Sequence, residues 1–278
     1  MLWLTHVWSP ELESEFQSLL ELDADVWLVL DRRTPGAAAI AARYPRCHMF
    51  DERQLFALPY PRLAGQGLIN HPHFPLLDFF RAHAGYDRYW VIEYDVRYSG
   101  DWRHFFRSVD SYQFDLMTSH IRRYADEPRW PWWSTLEHPS KRIPRERYLR
   151  SFNVIYGVSR AALEFVHASL LAGWRGYPEV ALPTLLSEGG FRLLDLGGHG
   201  EFTPAALRNQ SYTSWATSSG YLSPFGTMRY RPARSTAGDL PDKLYHPVKP
   251  PALLESWPQR VKLGLLWVKE LGAHLASG

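Results

Sequence analysis

Short apolar runs and amphipathic stretches alternate along the first part of the chain. Runs of strand-forming residues occupy positions 2–8, 25–30, 47–50 and 89–92. Helical patterns lie between them, at positions 9–22, 34–44 and 76–84. Ser9, followed by Pro10 and an acid, is a typical helix start, because Ser caps the first turn and Pro fits the first helical position. The alternation predicts an α/β fold with a mainly parallel central sheet and helices on both faces.

The second part of the chain continues this alternation with longer irregular segments. Further strand patterns occupy 114–119, 153–158 and 191–196, and helix starts fall at Asp101, Ser159 and Glu179. Positions 124–144 differ, since Trp130, Trp132 and Trp133 occur there among prolines without periodicity. A long irregular segment is often functional. We interpret it as a loop that covers a cleft, and a packed surface excursion fits the sequence equally well.

The last stretch, positions 255–275, has a helical pattern. Its apolar positions are Val261, Leu265, Trp267, Val268 and Leu271, and its basic positions are Arg260, Lys262 and Lys269. Such a helix either docks on the body of the protein or rests with a basic amphipathic face on a membrane. We favour docking and keep peripheral membrane contact as the alternative. We predict one domain over 1–278, with halves 1–123 and 124–254 and a terminal helix in 255–278.

Composition narrows the class of protein. The 278 residues are 45% hydrophobic and 22% charged, which is typical of a globular protein, and the net charge of +2 argues against a nucleic-acid partner. Cys47 is the single cysteine, so neither an intrachain disulfide nor a cysteine-based metal site is available. The start lacks a secretory signal pattern, and no apolar run is long enough for a membrane span. We expect a cytoplasmic protein, with membrane association only through the last helix.

Two carboxylates follow the apolar run at positions 89–92. Glu93 and Asp95 are two positions apart, so in extended backbone both side chains point to the same side. A carboxylate at the end of a buried strand is costly unless it is paired or binds a cation. Two such groups at the carboxyl edge of an α/β sheet, where ligands bind, are a plausible seat for a hard divalent cation. The alternative is solvated charge, with Asp95 paired to Arg97 or Arg103.

The element order and these acids resemble a known enzyme family. A strand-helix-strand-helix start, Asp31 at the end of the second strand and Glu93-Tyr94-Asp95 at the end of a later one resemble the GT-A glycosyltransferases. The longer phrase at 93–102 also resembles a less characterised group in bacteria and fungi. The resemblance implies a GT-A-like, Rossmann-type fold and a Mn²⁺ or Mg²⁺ cofactor. It further implies a nucleotide-diphosphate sugar donor and a carbohydrate or other hydroxyl acceptor, bound by the second half of the chain.

The resemblance also assigns roles to individual residues. Asp95 corresponds to the family's metal-binding carboxylate, and His246 in Tyr-His-Pro-Val-Lys corresponds to a further ligand found in some members. Glu93 departs from the family's first Asp, which contacts ribose or sugar. Residues implied to bind the nucleotide sugar are His6, Asp31, Glu93, Tyr94, Arg122 and Lys249, the last two through phosphate charge. Arg123 is an alternative to Arg122.

An acceptor hydroxyl needs a base if the transfer inverts the anomeric centre. Glu179 is the first candidate, because the resemblance places an acceptor-side acid on a helix of the second half, and Asp195 is the second. We expect the helix N-terminus to keep Glu179 ionised. An ordinary first-turn acid is the alternative interpretation of the same residue.

Two other functions are compatible with this sequence pattern. Nucleotidyl transfer uses a similar sheet but usually has a glycine-rich basic loop after the first strand, and positions 5–9 contain neither glycine nor Lys or Arg. A non-catalytic carbohydrate-binding protein would use the Trp-rich segment as a flat apolar platform. Metal-dependent binding of a nucleoside diphosphate separates glycosyl transfer from the carbohydrate-binding alternative.

Overall fold

The architecture rests on a central sheet and is taken from a computed structural model that describes residues 1–63, 67–214, 226–229 and 231–275. Strands β1 to β9 span Leu2–Thr5, Trp27–Asp31, Cys47–Phe50, Arg88–Glu93, Arg97–Tyr98, Leu116–Arg123, Leu149–Ser159, Leu193–Asp195 and Leu244–Tyr245. Helices α1 to α8 span Pro10–Leu20, Ala37–Arg43, Glu52–Phe56, Phe74–Ala82, Trp102–Asp110, Arg160–Leu171, Pro178–Glu188 and Trp257–Leu275. The predicted α/β class is confirmed.

Within the described residues, seven strands form one sheet in the order β3-β2-β1-β4-β7-β6-β8. Six of them share one direction, and β7 runs antiparallel to both of its neighbours, β4 and β6. Parallel neighbours need a crossover, usually a helix, whereas β6 reaches β7 through an irregular segment with short 3-10 turns. The mainly parallel sheet is confirmed, with β4 at its centre as expected for the strand that ends in Glu93.

Several helices begin where the sequence predicts, because a polar side chain satisfies a free backbone donor of the first turn. Ser9 accepts a hydrogen bond from the Leu12 amide (3.3 Å), and Asp101 accepts one from the Arg103 amide (2.8 Å). Ser159 ends β7 and caps α6 in the same way. Helix α3 and the strands β5 and β9 were not predicted, since each is too short for a periodic signal.

Helices cover both faces of the sheet, as predicted. On one face, α1, α2 and α5 bury side chains such as Phe16 and Phe105 against the sheet. On the other face, α4, α6 and α7 bury side chains such as Phe79 and Val166. Fully burying one large apolar side chain contributes about 1.5–3 kcal/mol, so these two layers hold the carboxyl ends of the strands in fixed positions.

The Trp-rich segment 124–144 forms a packed excursion rather than a cover over the cleft. Trp130 and Trp133 are buried in a cluster with Leu136, Trp174 and side chains of α7. The Trp133 indole donates to the Glu127 carbonyl oxygen at 2.8 Å, which fixes the turn before it. The alternative interpretation is therefore the one that the structure favours.

Helix α8 meets the rest of the protein mainly at its start. The Arg260 guanidinium donates to the Ala233 carbonyl oxygen at 2.9 Å. None of the α8 side chains that the structure describes is buried, so these positions show no extensive docking on the body; the side chains of Trp267 and Leu271 lie outside the described ones. None of the described helices has the length and apolar character to cross a bilayer.

Candidate functional site

A cavity of about 430 Å³ opens at the carboxyl ends of β1, β2 and β4. Eight of the ten residues singled out in the sequence line it, namely His6, Asp31, Glu93, Tyr94, Asp95, Glu179, His246 and Lys249. His6 follows β1, Asp31 ends β2 and Glu93 ends β4, so parallel strands deliver their side chains to one edge of the sheet. The two remaining residues, Arg122 and Asp195, do not line this cavity.

The acids after β4 meet His246 although 151 positions separate Asp95 from it in the sequence. Strand β9 pairs with β5 in a two-stranded ribbon, and the Val248 amide donates to the Asp95 carbonyl oxygen at 2.7 Å. These contacts bring His246 Nε2 to 3.5 Å from Asp95 Oδ1. One potential ligand atom from each of Glu93, Asp95 and His246 lies within 4.8 Å of the others.

This cluster fits a divalent cation. Asp95 is buried, its Oδ1 atom has no hydrogen-bond partner, and Nδ1 of His246 has none either. A buried carboxylate oxygen that accepts no hydrogen bond is costly, and a bound cation would offset that cost. Two carboxylates and an imidazole form a donor set that suits Mn²⁺ and also accommodates Mg²⁺.

The two acids of the cluster are driven to opposite protonation states. Burial raises the pKa of Glu93, and the neighbouring carboxylates of Asp95 and Glu179 raise it further. Burial also opposes ionisation of Asp95, but His246 and Lys249 outweigh it and the pKa of Asp95 is lowered. Lys249 Nζ lies 3.5 Å from Asp95 Oδ2. A cation would oppose the mutual repulsion of these carboxylates and favour the ionised form of Glu93.

Glu179 reaches the cavity from the first turn of α7. Burial raises its pKa to about 7, with Glu127 acting in the same direction and Arg150 in the opposite one. Burial therefore acts against the expectation that the helix N-terminus keeps Glu179 ionised, because desolvation disfavours the charged form. A carboxyl group with a pKa near neutrality is a better proton acceptor than an ordinary one.

A buried ionic network lies behind Glu179 and was missed in the sequence. Arg150 Nη2 is 3.8 Å from Glu179 Oε2, and Arg150 Nη1 donates to Glu127 Oε2 at 3.0 Å. The other oxygen of Glu127 is 2.8 Å from Nε2 of His120, and the Arg150 guanidinium lies over the Trp130 ring at 4.3 Å. The signal was available, since Arg150 is a charged residue within the otherwise mainly apolar pattern of β7.

Asp31 lines the cavity, but its carboxylate is occupied. Both oxygens accept hydrogen bonds from the Arg33 guanidinium, at 2.7–3.1 Å. Burial opposes ionisation, yet these bonds lower the pKa of Asp31 overall. The side chain of Arg33 is 58% exposed and also lines the cavity. Arg33 is thus one of the groups at this edge that can meet an anionic ligand, and its place two positions after the acid was the signal for it.

Cationic side chains stand around the acidic cluster. Arg33, Arg231 and Lys249 all line the cavity. The His6 ring packs edge-on against the Tyr94 ring at 4.9 Å, and burial lowers the pKa of His6, which keeps the imidazole neutral near pH 7. The cavity therefore combines seats for a cation, for anionic groups and for a proton acceptor.

The structure does not support Asp195 as a catalytic acid. Its Oδ1 atom accepts hydrogen bonds from the amides of Gly197 and Gly198 and from the Tyr212 hydroxyl, and its Oδ2 atom accepts one from the Ile121 amide. Asp195 is fully buried and anchors the turn after β8. An acid at a strand end can thus accept hydrogen bonds from backbone amides instead of acting in catalysis. The sequence alone does not distinguish these two roles.

Arg122 also stays away from the cavity. It lies near the end of β6, and its guanidinium is close to the backbone of Gly200. Arg122 lies near the end of a strand, as predicted, but that strand is two places away from β4, whose end borders the cavity. The predicted phosphate contact of Arg122 is therefore not supported by its placement.

Comparison with known proteins gives limited information about this chain. Residues 42–116 match the profile of a family described as "Protein of unknown function (DUF3405)". No curated protein matches the chain.

Solved structures that match the chain include three transferases. Mouse xyloside xylosyltransferase 1 in its apo form is 12% identical over 70% of this chain and 84% of that chain, with a TM-score of 0.38. An active-site mutant of LgtC is 9% identical over 84% of this chain and 88% of that chain, with a TM-score of 0.42. A Bacillus anthracis protein described as a glucose-1-phosphate thymidylyltransferase, in complex with a sucrose, is 13% identical over 71% of this chain and 87% of that chain, with a TM-score of 0.39.

Proposed function

We propose that this protein is a metal-dependent glycosyltransferase that moves a sugar from a nucleotide-diphosphate sugar to an acceptor hydroxyl. The observation that carries the proposal is the cluster of Glu93, Asp95 and His246, in which a buried carboxylate oxygen accepts no hydrogen bond, beside Lys249 at the carboxyl edge of the sheet. In this proposal residues 1–123 form the donor-binding half and 124–254 the acceptor half, which also contributes Arg231, His246 and Lys249 to the donor site, within one domain over 1–278.

Glu93, Asp95 and His246 would hold Mn²⁺ or Mg²⁺, and a bound cation supplies Lewis-acid stabilisation of a leaving diphosphate. Lys249, Arg33 and Arg231 add fixed positive charge where the diphosphate develops negative charge. His6 and Tyr94 form the wall at which a base or ribose would rest. Two cation ligands follow a rigid central strand, which keeps the cluster in place for the transition state.

Glu179 is the proposed base for an inverting transfer. Its carboxylate takes the proton of the acceptor hydroxyl while the hydroxyl oxygen bonds to the anomeric carbon and the bond to the diphosphate breaks. A pKa of about 7 lets Glu179 be ionised in a large fraction of molecules at neutral pH and still bind the proton well. Arg150, 3.8 Å away, keeps part of the charge compensated before the proton arrives.

The proposal is tested by titrating UDP, GDP and dTDP into the protein with and without Mn²⁺ in a calorimeter. One of these should bind only when Mn²⁺ is present. Asp95→Ala should abolish that binding, because it removes the strongest cation ligand, and His246→Ala should weaken it less, because water can replace a neutral ligand. Glu179→Gln should leave binding intact.

The matched control is Asp110→Ala, which removes an exposed carboxylate at the end of α5, away from the cavity. If Asp95→Ala binds the nucleoside diphosphate with wild-type affinity, or if Asp95→Ala and Asp110→Ala lose the same affinity, the proposed cation site is wrong. Mn²⁺-dependent binding would exclude the non-catalytic carbohydrate-binding alternative. Release of pyrophosphate from a nucleoside triphosphate would instead support nucleotidyl transfer.

A further inference from the structure

Helix α8 carries an exposed apolar stripe. Trp257, Val261, Leu265 and Val268 follow one another at spacings of four, four and three residues, which places them on one side of the helix. All four are exposed, from 42% for Val261 to 76% for Trp257. A stripe of this size, with a Trp at one end and no cover from the described body of the protein, is an interaction surface.

Positive charge accompanies this stripe. Arg260, Lys262 and Lys269 lie on α8, against a single acid, Glu270. Residues 226–278 contain eight Lys and Arg against four Asp and Glu, whereas the preceding residues contain 23 against 25. The positive excess of the chain is therefore concentrated in the region that ends with the stripe.

From this combination we infer that α8 binds the surface of an anionic lipid bilayer, lying parallel to it with the apolar stripe among the acyl chains. A basic amphipathic helix with a Trp on its apolar side binds such a surface through buried apolar area and attraction to anionic headgroups together. A second copy of the chain fits less well, because in a symmetric pair each helix would bring three cations and one acid against the same set. This inference does not depend on the proposed transferase activity.

The attachment of α8 to the body of the protein places the apolar stripe next to the cavity. Glu255 lines the cavity, accepts a hydrogen bond from the Ala233 amide at 3.1 Å and pairs with Arg231 at 3.5 Å. Arg260 in the first part of α8 binds the carbonyl oxygen of the same Ala233. The first turns of α8 are thus fixed to the wall of the cavity, and a bilayer on the stripe lies beside the cavity rim.

The test is co-sedimentation of the full chain with vesicles of mixed phosphatidylglycerol and phosphatidylcholine, and with vesicles of phosphatidylcholine alone. The protein should bind the anionic vesicles, and binding should weaken as the salt concentration rises. Val261→Ser combined with Leu265→Ser should lower the affinity by roughly tenfold or more, because it removes the apolar part. Lys262→Gln combined with Lys269→Gln should lower it by about tenfold or more, because each cation near the surface contributes.

The matched control is Leu171→Ser, which removes an exposed leucine from the end of α6. It should leave vesicle binding unchanged. Circular dichroism checks that each variant is folded. If the Val261 and Leu265 double variant does not fold, the Lys262 and Lys269 double variant still tests the inference. Three results would each overturn the inference: no binding to anionic vesicles, equal loss in Leu171→Ser, or a dimer in sedimentation velocity that the Val261 and Leu265 changes dissociate.

Discussion

The carboxyl of Glu179 illustrates how the site is tuned at the scale of a residue. It is 13% exposed, and burial raises its pKa to about 7. In the unfolded chain a Glu titrates near 4.3, so the folded state holds this proton more tightly than the unfolded state. Stability contributed by the protonated form is present below the unfolded pKa and is lost as the pH rises towards 7.

Glu179→Gln should therefore stabilise the protein at pH 8 and change little at pH 4. The gain at pH 8 is up to about 3 kcal/mol, because each pKa unit corresponds to 1.36 kcal/mol. Urea unfolding at both pH values measures it. A gain of the same size at pH 4 would show that the effect is not due to ionisation of Glu179.

Arg150 and Glu127 should shift the pKa of Glu179 in opposite directions. Arg150→Met removes the nearby positive charge and should raise this pKa, whereas Glu127→Gln removes a negative charge and should lower it. The measurement is the pH dependence of the Glu179 carboxyl signal in protein with ¹³C-labelled glutamate. Shifts of the same sign in both variants would contradict the network described here.

At the scale of elements, the Trp-rich segment supports one wall of the cavity from behind. Trp133 is 3% exposed, and its ring fills the cluster against α7, the helix that carries Glu179. Trp133→Ala should lower the free energy of unfolding by about 3–5 kcal/mol, because it leaves a large cavity.

The exposed Trp257 offers a matched comparison, since Trp257→Ala should change stability by less than about 0.5 kcal/mol. Denaturant unfolding of both variants in parallel checks the difference. Similar small effects would mean that segment 124–144 is loosely attached rather than packed.

Elements that are specified by a few neighbouring residues could be predicted from the sequence. Features that depend on pairing with residues far away in the chain could not. The strands that end in Asp31 and Glu93 and the helix starts at Ser9, Asp101 and Ser159 follow from a few neighbouring residues. The antiparallel direction of β7 and the β5–β9 ribbon depend on partners far away in the sequence. For the same reason the contact of Arg33 with Asp31, two positions before it, could be predicted from the sequence. The contacts of Arg150 with Glu127 and Glu179 could not, because only the fold brings these residues together.

The placement of Asp195 is a related case. Sequence reasoning gives the same prediction for every acid at a strand end, because it cannot tell where the strand lies in the sheet. Strand β8 is at the far edge, and Asp195 Oδ1 is occupied by the amides of Gly197 and Gly198 in the turn after it and by the Tyr212 hydroxyl. His246 shows the converse, since only the family resemblance pointed to it and the ribbon then brings it to Asp95.

At the scale of the whole molecule, buried carboxyl groups with opposite pKa shifts should give a stability maximum in mildly acidic solution. Burial opposes ionisation of Glu127, but His120 and Arg150 lower its pKa to about 2, so its stabilising effect is present above the unfolded pKa and lost as the pH falls towards 2. Glu93 and Glu179 have raised pKa values and destabilise the protein as the pH rises.

For these groups we expect the free energy of unfolding to be largest between about pH 4 and 5, where the contribution of Glu127 is complete and the losses from Glu93 and Glu179 begin. Urea titrations at pH 3, 4.5, 6 and 9 test this, and Glu127→Gln should flatten the acid side of the curve. Stability that rises steadily from pH 6 to pH 9 would contradict the raised pKa values of the two acids.

The ribbon of β5 and β9 allows one ligand of the candidate cation site, His246, to separate from the other two. Each of its strands has two residues, so it opens far more easily than the central sheet, whose strands are packed on both faces. Opening withdraws His246 while Glu93 and Asp95 stay in place. Cleavage of the chain between β8 and β9 would let β9, with His246, leave the site, while β5 stays attached to β4 and the sheet is spared. A bound cation would join His246 to Asp95 and so hold β9 in place.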